Sequence, residues 1–186
     1  MKKNSFKTKD IVLLAMLTAI LFAQEQILTF LPQFQFTILL MVLYSKCLGF
    51  LKASIIIFIH VILDNLVMGS FNIIYTPAML IGWMMIPILS NTVFKKVNSP
   101  LGLGLCGILY AFLYSWSFIP ATVIMTDTEF IPYLIADIPF EIMLALFSFL
   151  TIYWLYKPLS KVLISLDESY EFRKKATEEK NQQQKK

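Results

Sequence analysis

The sequence predicts an all-α integral membrane protein: six transmembrane helices in a compact bundle, with both termini cytoplasmic. Three observations predict it. First, 58% of the 186 residues are hydrophobic and 15% charged, with a mean hydropathy of +0.69. A soluble domain is nearer half apolar and a quarter charged, and a single soluble core of this size cannot hide the excess. Helices satisfy their own backbone in lipid, which makes them the expected spanning form. Second, apolar segments of about 20 residues, enough to cross roughly 30 Å of hydrocarbon, occupy nearly all of residues 10–158. Third, all 16 Lys and Arg residues precede the first segment, sit in alternate turns, or follow the last segment. With six crossings these places share one side, which the positive-inside rule assigns to the cytoplasm. The opposite turns hold only Glu25, Asp64, Asp127 and Glu129. The expected organisation is a basic cytoplasmic lead (1–9), a six-helix membrane domain (10–158) and a charged, partly disordered cytoplasmic tail (159–186). The expected location is the plasma membrane, crossed several times.

The first helix is expected over about Asp10–Phe30. Ile11 to Ala23 imitates a signal-peptide core, but Leu21 stands where a cleavage site wants a small residue, so the helix reads as uncleaved. Ala15 and Ala19 are four apart, on one face, and permit close helix contact in lipid, internal or with a partner. Gln24-Glu25-Gln26 closes this helix and Pro32-Gln33-Phe34-Gln35 opens the next. That polarity reads either as ordinary interfacial chemistry or as the rim of a pocket. The second segment, Phe36 to Tyr44 or slightly beyond, is short, and reads as tilted or partly re-entrant. The third runs from about Phe50 to Val67.

From His60 to Trp83 the chain carries its only histidine, an Asp64-Asn65 pair, a Gly69-Ser70 turn, Asn72, Tyr75 and Pro77, and no basic residue. Hydrogen-bonding groups on both sides of the bend suggest one wall of a ligand pocket near the outer surface. His60 and Asp64 share a face at i, i+4. Metal binding, a hydrogen-bonded orienting pair and direct ligand contact are all open; a metal would need a further ligand, and no second histidine exists. The fourth segment, Ile74 to Phe94, places Tyr75, Met79, Gly82 and Trp83 along one face. Pro77 fits the first turn of the helix, and Pro87 can kink it. Trp83 lies about nine residues in, roughly 13 Å deep, below the usual aromatic belt. It reads as lipid-facing packing or as a flat surface for a planar ligand.

The fifth segment, Leu101 to Ile124, opens with a small-residue face of Gly102, Gly104, Gly107 and Ala111, followed by Tyr110, Tyr114 and Trp116. The sixth, Phe130 to Tyr156, carries Tyr133, Asp137 and Glu141 at i, i+4, i+8. The two carboxylates lie roughly 10 and 16 Å below its outer end. An ionised Asp at mid-helix costs about 2.5–3.5 kcal/mol on insertion scales, and no basic residue sits in any outer half to offset it. The pair therefore faces a watery pocket, is protonated, meets a cation from outside, or is held by structural hydrogen bonds. Beyond Pro158, Leu159 to Phe172 reads as an amphipathic helix on the inner membrane face, and the final residues as disordered.

Cys47 and Cys106 both map toward the cytoplasmic side, where a disulfide is not expected; they lack metal-site spacing and read as packing residues. No phosphate loop, zinc-protease helix or nucleophile elbow occurs, so ATP hydrolysis by this chain is excluded and an enzymatic role is not expected. The basic residues are scattered over turns as topology signals, which argues against nucleic acid. Neither a cofactor nor a bound metal is expected.

Size, six helices with both ends inside, the Ala15/Ala19 pair and polar outer turns together make residues 10–158 resemble the substrate-binding S component of energy-coupling factor (ECF) vitamin transporters. The resemblance implies docking through Ala15 and Ala19 on a transmembrane coupling subunit driven by two cytoplasmic ATPases. It implies ligand contacts from Gln24, Gln26, Asp64, Asn65, Asn72, Tyr75, Trp83, Tyr114, Tyr133, Asp137 and Glu141, and reorientation of the subunit in the bilayer to release its ligand inside. The residues themselves favour a small, flat, neutral or cationic molecule with N–H or O–H donors, and the resemblance implies that it is vitamin-like. On this expectation Trp83 and a tyrosine sandwich the ring, while Asp137 or Glu141 accepts its donors or pairs its charge. The alternative is a stand-alone proton-coupled secondary transporter that uses Asp137 and Glu141 as a relay.

Overall fold

The computed structural model describes residues 8–31, 33–67 and 71–183, with side chains through residue 166. The described residues form six helices: α1 (Thr8–Ile27), α2 (Thr37–Cys47), α3 (Phe50–Val67), α4 (Tyr75–Asn91), α5 (Pro100–Thr126) and α6 (Phe130–Gln183). Most of the basic lead, Pro32 and the Gly69-Ser70 turn lie outside the described residues. Four stretches are long and apolar enough to cross a membrane: α1, α3, α5 and the Phe130–Leu166 part of α6. They are compatible with membrane association. Their outward faces are greasy, as lipid exposure would require; Ile20, Phe58, Leu105 and Leu146 are all exposed.

The helices run alternately up and down, and contacts at both ends fix this. At one end the Lys52 ammonium meets the Asp10 carboxylate at 2.9 Å, joining the starts of α3 and α1. Lys46 at the end of α2 donates to the Phe94 carbonyl at 2.6 Å, just past α4, where carbonyls lack intrahelical partners. Ser99 caps α5 by accepting from the Gly102 N–H. At the other end α1 meets α3 through Glu25 and His60, and α5 meets α6 through Thr122 and Tyr133. The described basic residues therefore gather at one end and the acids Glu25, Asp64, Asp127 and Glu129 at the other.

The short α2 is the centre. Every residue from Thr37 to Ser45 is buried, and the helix touches each of the other five. A helix that is apolar all round belongs inside, not on a face. Its 11 residues reach only about 16 Å, about half the hydrocarbon thickness.

Close approach between α5 and α6 depends on glycine. A Cβ at Gly107 would fall 2.6 Å from Ile152 Cδ1, and one at Gly104 would fall 2.9 Å from Phe149 Cδ2. Two members of the expected small-residue face thus pack on α6, while Gly102 faces Val97 and Ser99 of its own turn. Both cysteines are free, Cys106 buried and Cys47 half-buried.

The tail departs from expectation. There is no break after Pro158 and no separate surface helix; α6 continues as one helix to Gln183. Its 54 residues correspond to about 80 Å. The side chains beyond Leu166, and residues 184–186 altogether, lie outside the described residues, and the expectation of disorder falls partly on them.

Candidate functional site

The acidic end of the bundle holds two groups of polar side chains. The first is built by α1, α3, α4 and α5. As α1 ends, Gln24, Glu25 and Gln26 turn successively toward different neighbours. The Gln24 amide oxygen accepts from the Phe36 N–H at 2.9 Å, and its nitrogen donates to Thr37 Oγ1 at 2.8 Å and to the Leu21 carbonyl at 3.0 Å. Gln24 thus holds the start of α2, and both ends of its amide are engaged. Glu25 reaches His60 on α3, with Oε2 and Nε2 3.0 Å apart. That is close enough for an ion pair, but it is not aligned as a hydrogen bond. Gln26 donates to Asp64 Oδ1 at 3.1 Å.

Asn65 joins α3 to α4. Its amide donates to the Val61 carbonyl and to Met79 Sδ, and its oxygen accepts from Thr76 Oγ1 at 2.8 Å. Asn72 accepts from the N–H groups of Ile74 and Tyr75 and so starts α4. The expected ligand contacts Gln24, Asn65 and Asn72 are therefore engaged within the protein. Tyr75 stacks on Phe118 at 6.3 Å.

Trp83 is fully buried, which removes the lipid-facing reading. Its ring lies on Tyr114, with centroids 3.6 Å apart and planes 18° from parallel. Gly82 makes this possible, since a Cβ there would lie 2.9 Å from Tyr114 Cδ2 and 2.5 Å from Ser117 Oγ. The slot expected between Trp83 and a tyrosine is accordingly closed in this arrangement, because the two rings fill it themselves. The Tyr114 hydroxyl lies within electrostatic range of Glu25 and Asp64, which ties the aromatic pair to the α1–α3 carboxylates.

The second group lies between α5 and α6. Glu141 is buried, on the same stripe as Leu144, Ala145 and Ser148, and its Oε1 has no hydrogen-bond partner. Asp137 sits one turn above, half-buried, close enough for its charge to act on Glu141; the Trp116 indole is also within reach of Glu141. Tyr133, a further turn up, accepts a long 3.5 Å bond from Thr122. Among the described residues no hydrogen bond or ring contact joins the two groups.

Two residues matter more than their sequence context suggested. Glu25 reads as interfacial polarity or the rim of a pocket, and His60 with Asp64 as a metal, orienting or ligand-contacting pair; the structure sets Glu25 and His60 3.0 Å apart. The signals were the chain's only histidine and a carboxylate at a helix exit. Their meeting depends on α1 packing against α3, which no spacing within either helix encodes. Among the described residues no group of three or more His, Cys, Asp or Glu side chains could hold a metal ion.

On the outer face of α1 and α3, Ala15 and Ala19 are exposed and help floor a groove of about 410 Å³ lined also by Ile11, Leu14, Thr18, Ile55, Ile59 and Leu63. Comparison with protein-family models, curated proteins and solved structures found no match.

Proposed function

We propose that this chain is the membrane-embedded binding subunit of a nutrient uptake system, an S component of the energy-coupling factor kind. It sits in the plasma membrane as a six-helix bundle with α2 enclosed at its centre, keeps both termini in the cytoplasm, and captures a small, flat, neutral or cationic vitamin-like solute at its acidic end. The observation that carries this reading is the set of buried polar atoms without hydrogen-bond partners at that end: both ring nitrogens of His60 and Trp83 Nε1. Each unpaired buried group costs about 1–3 kcal/mol, a cost that a guest with matching groups would offset. No described Lys or Arg stands at that end, so a multiply acidic guest is disfavoured.

The chain has no nucleotide-binding loop, so uphill movement draws on partners: a transmembrane coupling subunit and two cytoplasmic ATPases. The Ala15/Ala19 groove is where the coupling subunit would dock, since small residues let a neighbouring helix come close in lipid. Native mass spectrometry of the purified protein tests the reading, with a retained small molecule expected. Replacing Ala15 and Ala19 with Leu should abolish co-purification of a coupling subunit and leave that molecule bound. A protein that retains nothing and recruits no partner overturns the proposal.

The alternative is a stand-alone proton-coupled transporter, favoured by one specific observation: Glu141 is 1% exposed beside Asp137, with no described Lys or Arg paired to it. Uptake that survives loss of the ATPases and collapses with an uncoupler would select it.

A further inference from the structure

Four side-chain atoms in the first polar group have no hydrogen-bond partner: Glu25 Oε2, both ring nitrogens of His60, and Trp83 Nε1. His60 and Trp83 are each 0% exposed. Glu25 Oε2 and His60 Nε2 lie 3.0 Å apart without hydrogen-bond alignment, and His60 Nδ1 and Trp83 Nε1 meet no partner. α3 packs on α4, where Asn65 touches Met79; Val61, beside His60, and Trp83 each lie one helical turn farther along their own helices. Tyr114, stacked on Trp83, lies within electrostatic range of Glu25 and Asp64.

The chemistry of these atoms is mixed, which narrows what would satisfy them. An ionised carboxylate only accepts, an indole N–H only donates, and a neutral imidazole does one of each. A guest with donors alone leaves Trp83 unmet; a guest with acceptors alone leaves Glu25 unmet. An anion would meet Glu25 and Asp64 with no described cation beside them. We propose that Glu25, His60 and Asp64, walled by Trp83 and Tyr114, form a binding site for a small planar molecule that presents a hydrogen-bond donor beside an acceptor and carries no negative charge. Entry of the ring moves Tyr114 off Trp83 and takes its place, so one stacking contact replaces another. The inference rests on the small-solute reading above and assigns its contacts to α1, α3, α4 and α5, not to the α6 carboxylates.

The test uses the full chain with the exposed Trp116 and Trp154 changed to Phe, which leaves Trp83 as the sole indole. 2-Aminopyrimidine, whose amine adjoins a ring nitrogen, is the probe; pyrimidine, which lacks the donor, is the control. A saturable change in Trp83 emission is expected with the first and a much weaker one with the second. Glu25→Gln and His60→Gln should each weaken the response at least about tenfold, the scale of losing a hydrogen bond to a charged or buried group. Asp137→Asn with Glu141→Gln should leave it within about threefold of the parent. Circular dichroism of each variant shows whether the fold is kept; should Glu25→Gln unfold, Asp64→Asn serves in its place. No response to 2-aminopyrimidine, or a response indifferent to Glu25 and His60, overturns the site. If native mass spectrometry still finds a retained molecule whose binding follows Asp137 and Glu141, only this site falls. If no molecule is found either, the binding-subunit reading falls with it.

Discussion

Gln24 is a polar residue at a helix exit, where a pocket rim and a structural clamp look alike in sequence. Its three hydrogen bonds to Phe36, Thr37 and Leu21 decide between them. Gln24→Ala should lower stability by about 1–3 kcal/mol, because the Phe36 N–H loses its acceptor and the Thr37 hydroxyl keeps only its bond to Gln35; thermal unfolding in detergent measures it. Gln24→Glu should lie in between, since a carboxylate still accepts from Phe36 but cannot donate to Thr37 when ionised. Glu25 and His60 illustrate the reverse. Each was visible as an unusual residue, yet their contact at 3.0 Å joins positions far apart in the chain. Intrahelical stripes such as Tyr133, Asp137 and Glu141 can be read from spacing; a cross-helix pair cannot, because it depends on which helices are neighbours.

At the scale of elements, hydropathy located all six helices, and for α3 it gave the bounds themselves. The reading missed the continuity of α6, which passes Pro158 without a break and runs on as one helix to Gln183. The glycine positions also had a legible purpose. Gly107→Leu should force α5 from α6, since even a Cβ would meet Ile152 Cδ1 at 2.6 Å; a loss of about 1–3 kcal/mol is expected for such overpacking. Gly82→Ala should act on the aromatic pair instead. With Tyr114 Cδ2 2.9 Å from the new methyl, the Trp83–Tyr114 stack should open. Near-ultraviolet circular dichroism should report this through a change in the aromatic bands, accompanied by a smaller drop in stability than for Gly107→Leu.

At the scale of the molecule, charge divides the bundle: Lys46, Lys52, Lys95 and Lys96 at one end, Asp127 and Glu129 at the other. The proposed topology makes a direct prediction. In a chain with Cys47 and Cys106 replaced by Ser, a single cysteine at Thr128 should react with an impermeant thiol reagent added to intact cells. One at Lys96 should react only after the membrane is opened. The reverse pattern would invert the protein and remove the case for capture from outside. The burial of α2 carries a mechanical meaning as well. Many carriers work as two slabs that hinge about a seam, but a seam needs a plane along which the slabs can part. Here one short rod is gripped from every side, and any such cut would strip it bare. Under the proposed function, a molecule wedged in this way would reorient as one body, like a cork with its contents still in place.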